Sequence, residues 1–223
     1  SWGIPAKPCF LPRPGWGART MLSVGLTGGI ATGKSTVLKM LADMGASVLS
    51  ADSIVHELLD SDADVRRRVV AGFGPECVRE DGGLDRAWLG RVVFRDARKR
   101  RELEEIIHPA VISRIGAWLE AQSRCETAVC VVEVPLLFET GLQGMFDTTV
   151  VVSSEHDVQA HRLNNRGLSP GESAARMGAQ MPLADKEELA GYVLRNDGSL
   201  DELRTRVREF WENLSAGGEY PRI

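Results

Sequence analysis

The sequence predicts an α/β fold: a parallel sheet with helices on both faces and a helical insertion after the second strand. Three observations carry this expectation. Ala128 to Val134 and Thr148 to Val152 are short, continuous, β-branched runs, as expected of strands buried on both faces. Segments with apolar residues at helical spacing alternate with these strands, which is the pattern of α/β architecture. The first strand also breaks into paired glycines and then a helix, so the chain opens on a βαβ unit.

In chain order, Leu22 to Thr27 is an alternating, apolar-rich strand that ends at Gly28 and Gly29. Val37, Leu38, Leu41 and Met44 then fall on one helical face. Gly45 occupies the place of a helix-closing glycine, and Ala46 to Leu49 reads as the second strand, ending at Ser50-Ala51-Asp52. Residues 53–122 read as mostly helical, broken at Gly74-Pro75 and at the turn Asp81-Gly82-Gly83. Leu103, Ile106, Ile107, Val111, Ile112 and Ile115 recur there at helical spacing, and Pro109 among them predicts a helix start or a kink. The charged run Arg98 to Glu102, with Glu104 and Glu105, reads as a solvated face with i,i+4 pairing. Beyond the strands at 128–134 and 148–152, the pattern predicts a helix over 158–166, a turn at 167–170 and a helix over 172–180. A last strand at 192–194 and a closing helix over 200–214 complete it.

Composition narrows the function. With 223 residues, 43% hydrophobic and 26% charged, the chain suits one main domain over 21–214, with 53–122 as its insertion and a tail over 215–223. A net charge of −4 offers no general attraction to nucleic acid, and no apolar run approaches the roughly 20 residues that span a bilayer. Neither nucleic acid nor membrane is therefore an expected partner. Cys9, Cys77, Cys125 and Cys130 form no CxxC pair and read as free, buried thiols in a reducing, cytoplasmic setting. His156 and His161 stand i,i+5, on different sides of a helix, and no metal is assigned to histidine. Residues 1–20 are rich in proline and glycine, carry no acid and lack the apolar stretch of a secretory signal. They read as a leader or as vector-derived residues, with Met21 as the expected native start.

The chemistry begins at Gly28-x4-Gly33-Lys34-Ser35, which matches the Walker A pattern. Glycines let successive backbone N–H groups converge on an anion that side chains would obstruct. The loop residues Gly28, Gly29, Ile30, Ala31, Thr32 and Gly33 are the expected cradle for ATP phosphates, closed by the positive N-terminus of the helix that follows. Lys34 supplies a mobile cation for the β and γ groups, the Ser35 hydroxyl is a ligand for Mg²⁺ brought with ATP, and Thr36 is placed for the α-phosphate. The fold is thus expected to be the three-layer type of P-loop nucleoside triphosphatases. No Asn-Lys-x-Asp occurs, which argues against a GTPase, and Val131-Val132-Glu133-Val134-Pro135 runs into proline where a motor ATPase strand ends in aspartate. Neither alternative finds its second motif.

Gly25 to Thr36 (GLTGGIATGKST) resembles the GLTGGIGSGKST opening of dephospho-CoA kinases. Other segments are similar to that family: Ala51-Asp52 to the end of its DAD signature, Gly82 to Phe94 to its D-G-x-L-D-R stretch, and His108-Pro109 to its HP pair. So are Val134 to Glu139 (VPLLFE), Gln180 to Leu183 (QMPL) and the turn Asn196 to Ser199. The likeness covers roughly residues 22–214. It implies transfer of the ATP γ-phosphoryl group to the ribose 3'-hydroxyl of dephospho-CoA, in a monomer or weak homo-oligomer. Another P-loop nucleoside or nucleotide kinase is the alternative. Departures are Ser50 for the first aspartate of DAD, Ala31-Thr32 for Gly-Ser, and Gly191-Tyr-Val-Leu-Arg-Asn196 for D-Y-V-I-D-N.

Under that resemblance Asp52 orients or deprotonates the acceptor hydroxyl, with a helix N-cap before Ser53 as its other reading. Arg162 and Arg166, i,i+4 on one helical face before a turn, suit a lid over residues 162–190 that closes on the phosphates. Arg176 and Gln180 form a second such pair. Asn196 is a candidate for adenine or simply a turn former ahead of Asp197-Gly198. His108 lies in the expected acceptor-binding insertion, where it contacts the acceptor, caps a helix or is buried. Pro135, Leu136, Leu137 and Phe138 either wall the acceptor pocket or belong to the core.

Overall fold

β1 (Leu22–Gly28) lies at the centre of a five-stranded sheet, and every functional loop of that sheet is placed by its neighbours. The computed structural model describes residues 21–125 and 127–215. The expected leader, with Cys9, and the tail beyond Ser215 lie outside the described residues.

The chain continues through α1 (Lys34–Asp43), β2 (Ser47–Ser50), α2 (Ala51–Ser61), α3 (Ala63–Phe73), a 3-10 turn at Pro75–Cys77, α4 (Arg86–Arg95) and α5 (Ala97–Arg124). Then follow β3 (Val129–Glu133), a 3-10 turn at Leu142–Met145, β4 (Thr148–Ser153), α6 (His156–Asn164), α7 (Pro170–Gly178), α8 (Leu183–Leu189), β5 (Tyr192–Arg195) and α9 (Leu200–Ser215). Strand order is β2-β3-β1-β4-β5, and β1 pairs in parallel with both β3 and β4, as β4 does with β5. The connection from β1 leads to one side of the sheet and that from β4 to the other. The carboxyl end of β1 is thus the switch point where open α/β sheets bind ligands.

Contacts divide the chain into two units, one made of residues up to Leu49 with those from Ala121 onward, the other of Ser50–Glu120. In the first, Val24 and Leu26 of β1 join Val37 and Leu41 of α1 and Leu203, Val207 and Phe210 of α9 in one buried cluster. α1 closes as its glycine predicts: Gly45 has φ 104, its N–H donates to Ala42 (3.0 Å), and the Ala46 N–H donates to Leu41 (3.0 Å). Alternate residues of β1 face the other side of the sheet, where a Cβ on Gly25 would meet Phe146 and Leu137. In the second unit, α3 is capped by Asp62, whose carboxylate accepts the Asp64 and Val65 N–H groups (both 3.0 Å).

Several expectations change. α5 runs on through Pro109, so the proline is not the helix start that was one of its two readings. Its buried stripe, Ile106, Ile107, Val111, Ile115 and Leu119, continues on both sides of the proline, and burial at about 1.5–3 kcal/mol per side chain outweighs the roughly 3 kcal/mol cost of an interior proline. Lys99, expected on a solvated face, stacks 4.9 Å from the Phe73 ring centre and donates to Gly72 (2.7 Å) and Glu102 (2.8 Å), an i,i+3 pair. α8 was not expected as a helix, being too short and polar to show periodicity. Cys125 is exposed, unlike the buried Cys77 and Cys130.

Candidate active site

The loop between β1 and α1 has the strained backbone of an anion cradle. Gly28 has φ 150 and any Cβ there would run into the Val152 carbonyl of β4, while Gly33, at φ 100, faces the Asn196 amide. Ala31 sits at φ 58, the one non-glycine residue with positive φ among those described. The Thr32 hydroxyl donates to the Gly29 carbonyl (2.9 Å), and Lys34 Nζ donates to Gly29 (2.8 Å) and Gly28 (3.3 Å), folding the cation across its own loop. Gly33 is the N-cap of α1 and offers no side chain to the helix, while Ser35 and Thr36 are exposed in its first turn. This leaves a positive helix end open to a phosphate.

Arg162 and Asn196 shape that loop directly. The Arg162 guanidinium donates to the carbonyls of Ala31 (3.3 Å), Thr32 (3.4 Å) and Asn196 (2.9 Å). Asn196 is buried, and its amide donates to the Thr32 carbonyl (2.7 Å) while its own N–H donates to Ser153 (2.7 Å) at the end of β4. Arg166 does not share a helical face with Arg162: α6 ends at Asn164, and Arg166 lies in the turn after it, exposed and without an ion pair among the described residues. The cause is local, since Gly167 at φ 84 takes the chain out of the helix. Gln180 likewise falls beyond the end of α7, which carries Arg176.

After β3, Pro135 and Leu136 are half-buried while Leu137 and Phe138 are buried, Leu137 beneath Gly25. Asp52 and His108 belong to the second unit. Asp52 is exposed in the first turn of α2, whose N-cap is Ser50, so it is not the cap that the alternative reading required. His108 is half-buried within α5 and precedes Pro109 inside the helix, so it caps neither end.

Three further residues escaped the sequence reading. Gln159 is buried in α6 with its carbonyl oxygen where a Cβ on Gly29 would come within 2.8 Å, and its amide donates to Ser154 (2.8 Å). Lys186 of α8 is fully buried and pairs with Glu139 (2.8 Å), and Glu187 pairs with Arg195 (2.8 Å) and accepts a short hydrogen bond from the Ser153 hydroxyl. A cavity of about 760 Å³ opens beside the loop, with Ile30, Gln159, Met177, Met181, Leu183 and Glu187 in its wall. The one sequence signal was the Gln-Met-Pro-Leu segment itself, which lines that cavity.

A parallel sheet whose central strand feeds a glycine loop and a helix N-terminus defines the P-loop nucleoside-triphosphate fold, here in its small-kinase form. A shikimate kinase from Acinetobacter baumannii shares the fold, at TM-score 0.51 and 12% identity over 89% of this chain and 96% of its own. The chain belongs to the dephospho-CoA kinase family, whose profile matches residues 22–202. It is 46% identical over 200 residues to the dephospho-CoA kinase of Symbiobacterium thermophilum, across 89% of this chain and 83% of that one. To the Geobacillus kaustophilus dephospho-CoA kinase it is 41% identical, across 83% and 93%. The solved structure of a dephospho-CoA kinase from Campylobacter jejuni aligns at TM-score 0.69 with 26% identity, across 88% of this chain and 98% of that chain.

Proposed function

We propose that this protein transfers the γ-phosphoryl group of ATP to the ribose 3'-hydroxyl of dephospho-CoA, in the cytoplasm, as a monomer or weak homo-oligomer. The observation that carries this reading is an intact phosphate cradle in a chain related along most of its length to enzymes of that name.

The loop N–H groups from Gly28 to Gly33 and the α1 N-terminus, with Ser35 and Thr36, hold the ATP phosphates. Lys34 leaves the carbonyls of Gly28 and Gly29 for the β and γ groups, where positioned positive charge lowers the barrier to transfer. The donor set fits Mg²⁺ only in company with the nucleotide: the described residues hold no cluster of three carboxylate, His or Cys ligands, and the exposed Ser35 hydroxyl is the protein ligand on offer. Bound there, the ion neutralises phosphate charge. Asp52 orients the 3'-hydroxyl or accepts its proton as the new O–P bond forms and the bond to ADP breaks. Arg166, exposed and without an ion pair among the described residues, is a cation of a lid spanning residues 162–190, while Arg162 fixes the loop from the same segment. Asn196 holds the loop and borders the adenine. His108, Pro135 and Leu136 contact the acceptor.

The test is a coupled ADP-release assay with dephospho-CoA, adenosine and AMP in parallel, with the product identified by mass. Turnover of AMP and not of dephospho-CoA would sink the proposal. Lys34→Ala is expected to lower kcat by at least about a thousandfold, and Asp52→Asn to lower kcat with little change in the KM for ATP.

A further inference from the structure

The geometry points to Lys186 as a positioning residue for phosphoryl transfer, whose buried ammonium ties together the end of β1, the segment after β3 and the start of α8. The inference rests on the kinase reading proposed above. Lys186 is 0% exposed although it lies in a seven-residue helix. Its Nζ donates to Glu139 Oε1 (2.8 Å) and to the Pro135 carbonyl (3.1 Å). That same carbonyl accepts the Thr27 hydroxyl (3.2 Å), one residue ahead of Gly28. The same carboxylate oxygen accepts the Met181 N–H (3.0 Å), where the chain returns from α7. Three segments far apart in sequence are therefore linked through the two acceptors of one ammonium.

Stability alone does not call for an ion pair here. Taking a lysine and a carboxylate out of water is costly, and an apolar pair of similar volume holds packed segments as well or better. What the ammonium adds is direction: its N–H donors fix two acceptors that apolar contact would leave free to slide. One acceptor anchors Thr27 at the root of the phosphate loop. The other anchors Met181, which with Leu183 and Glu187 walls the cavity beside Ile30. Lys186 thus sets the register between loop and cavity wall. Without it, water reaches the γ-phosphoryl group and attacks phosphorus, giving ADP and inorganic phosphate in place of phosphorylated acceptor.

The experiment measures phosphorylated product formed per ADP released, a ratio that does not depend on how much of a variant is folded. The double variant Lys186→Met/Glu139→Leu is expected to melt at or above the wild-type temperature. Its kcat should fall by at least about tenfold, its KM for ATP move by less than about threefold, and its ratio drop below about one half. Lys186→Arg and Glu139→Asp, which keep both charges and shift the bonds, serve if the double variant is insoluble, and should lower the ratio too. Wild-type kcat and a ratio of one in every soluble variant would overturn the inference. Failure of the wild-type protein to phosphorylate dephospho-CoA would overturn only the acceptor reading. Basal ADP release without acceptor, raised in the variants if Lys186 positions the wall and unchanged if it does not, would still read the inference.

Discussion

Gly28 shows what a single position contributes. Its φ of 150 suits glycine, and an added methyl would strike the Val152 carbonyl of the neighbouring strand, which cannot move without breaking the β1–β4 pairing. Gly28→Ala is expected to cost about 2–4 kcal/mol of stability and at least about a hundredfold in kcat/KM, measured by urea unfolding and steady-state kinetics. Ala31 is the opposite case. It occupies a left-handed position where the family resemblance shows glycine, at an expense of about 1–2 kcal/mol, and the Arg162 bond to its carbonyl helps hold it there.

At the scale of elements, α7 carries its own pH sensitivity. Ser169 and Glu172 form a capping box: the Glu172 N–H donates to the Ser169 hydroxyl (3.3 Å), and the Ser169 hydroxyl (2.7 Å) and N–H (2.9 Å) donate to the carboxylate. The hydroxyl first, and the backbone N–H second, hold the Glu172 carboxyl below the usual carboxylate range. A group depressed in the folded state contributes stability that is present above its unfolded value, about 4.3, and lost as pH falls through the lower folded value. Hydrogen exchange should find α7 equally protected at pH 7 and pH 5.5 and loosened below about pH 4, with that acid step absent in Ser169→Ala. Asp62 caps α3 with its own carboxylate, and Asp62→Ala should lower stability by about 1 kcal/mol in denaturant titration.

Across the whole molecule the thiols report burial. Burial pushes the Cys130 thiol up to about 11 and raises that of Cys77, while Cys125 is exposed. Iodoacetamide at pH 8 followed by peptide mapping should label Cys125 at least about tenfold faster than Cys77 or Cys130, and comparable rates would contradict the buried placement. A raised thiol value also means stability that is complete below the unfolded value near 8.5 and is lost as pH rises through about 11. Cys130→Ala should flatten that alkaline decline.

The parts legible in the sequence are those written in short-range spacing. β1, the glycine loop, α1 and its Gly45 stop all follow from neighbours within a few residues, because a strand alternates every two residues and a helix turns every 3.6. The family resemblance extended that reading to Asp52, His108 and Asn196. Tertiary structure alone decided who supports the loop. Arg162 reaches Ala31 across 131 residues, Asn196 reaches Thr32 across 164, and Lys186 reaches Pro135 across 51. No periodicity encodes such partners, since they exist only once β1, β3, β4 and β5 lie side by side. For the same reason Pro109 stays inside a helix and Arg166 falls outside one: a buried apolar stripe holds the first, and a left-handed glycine releases the second.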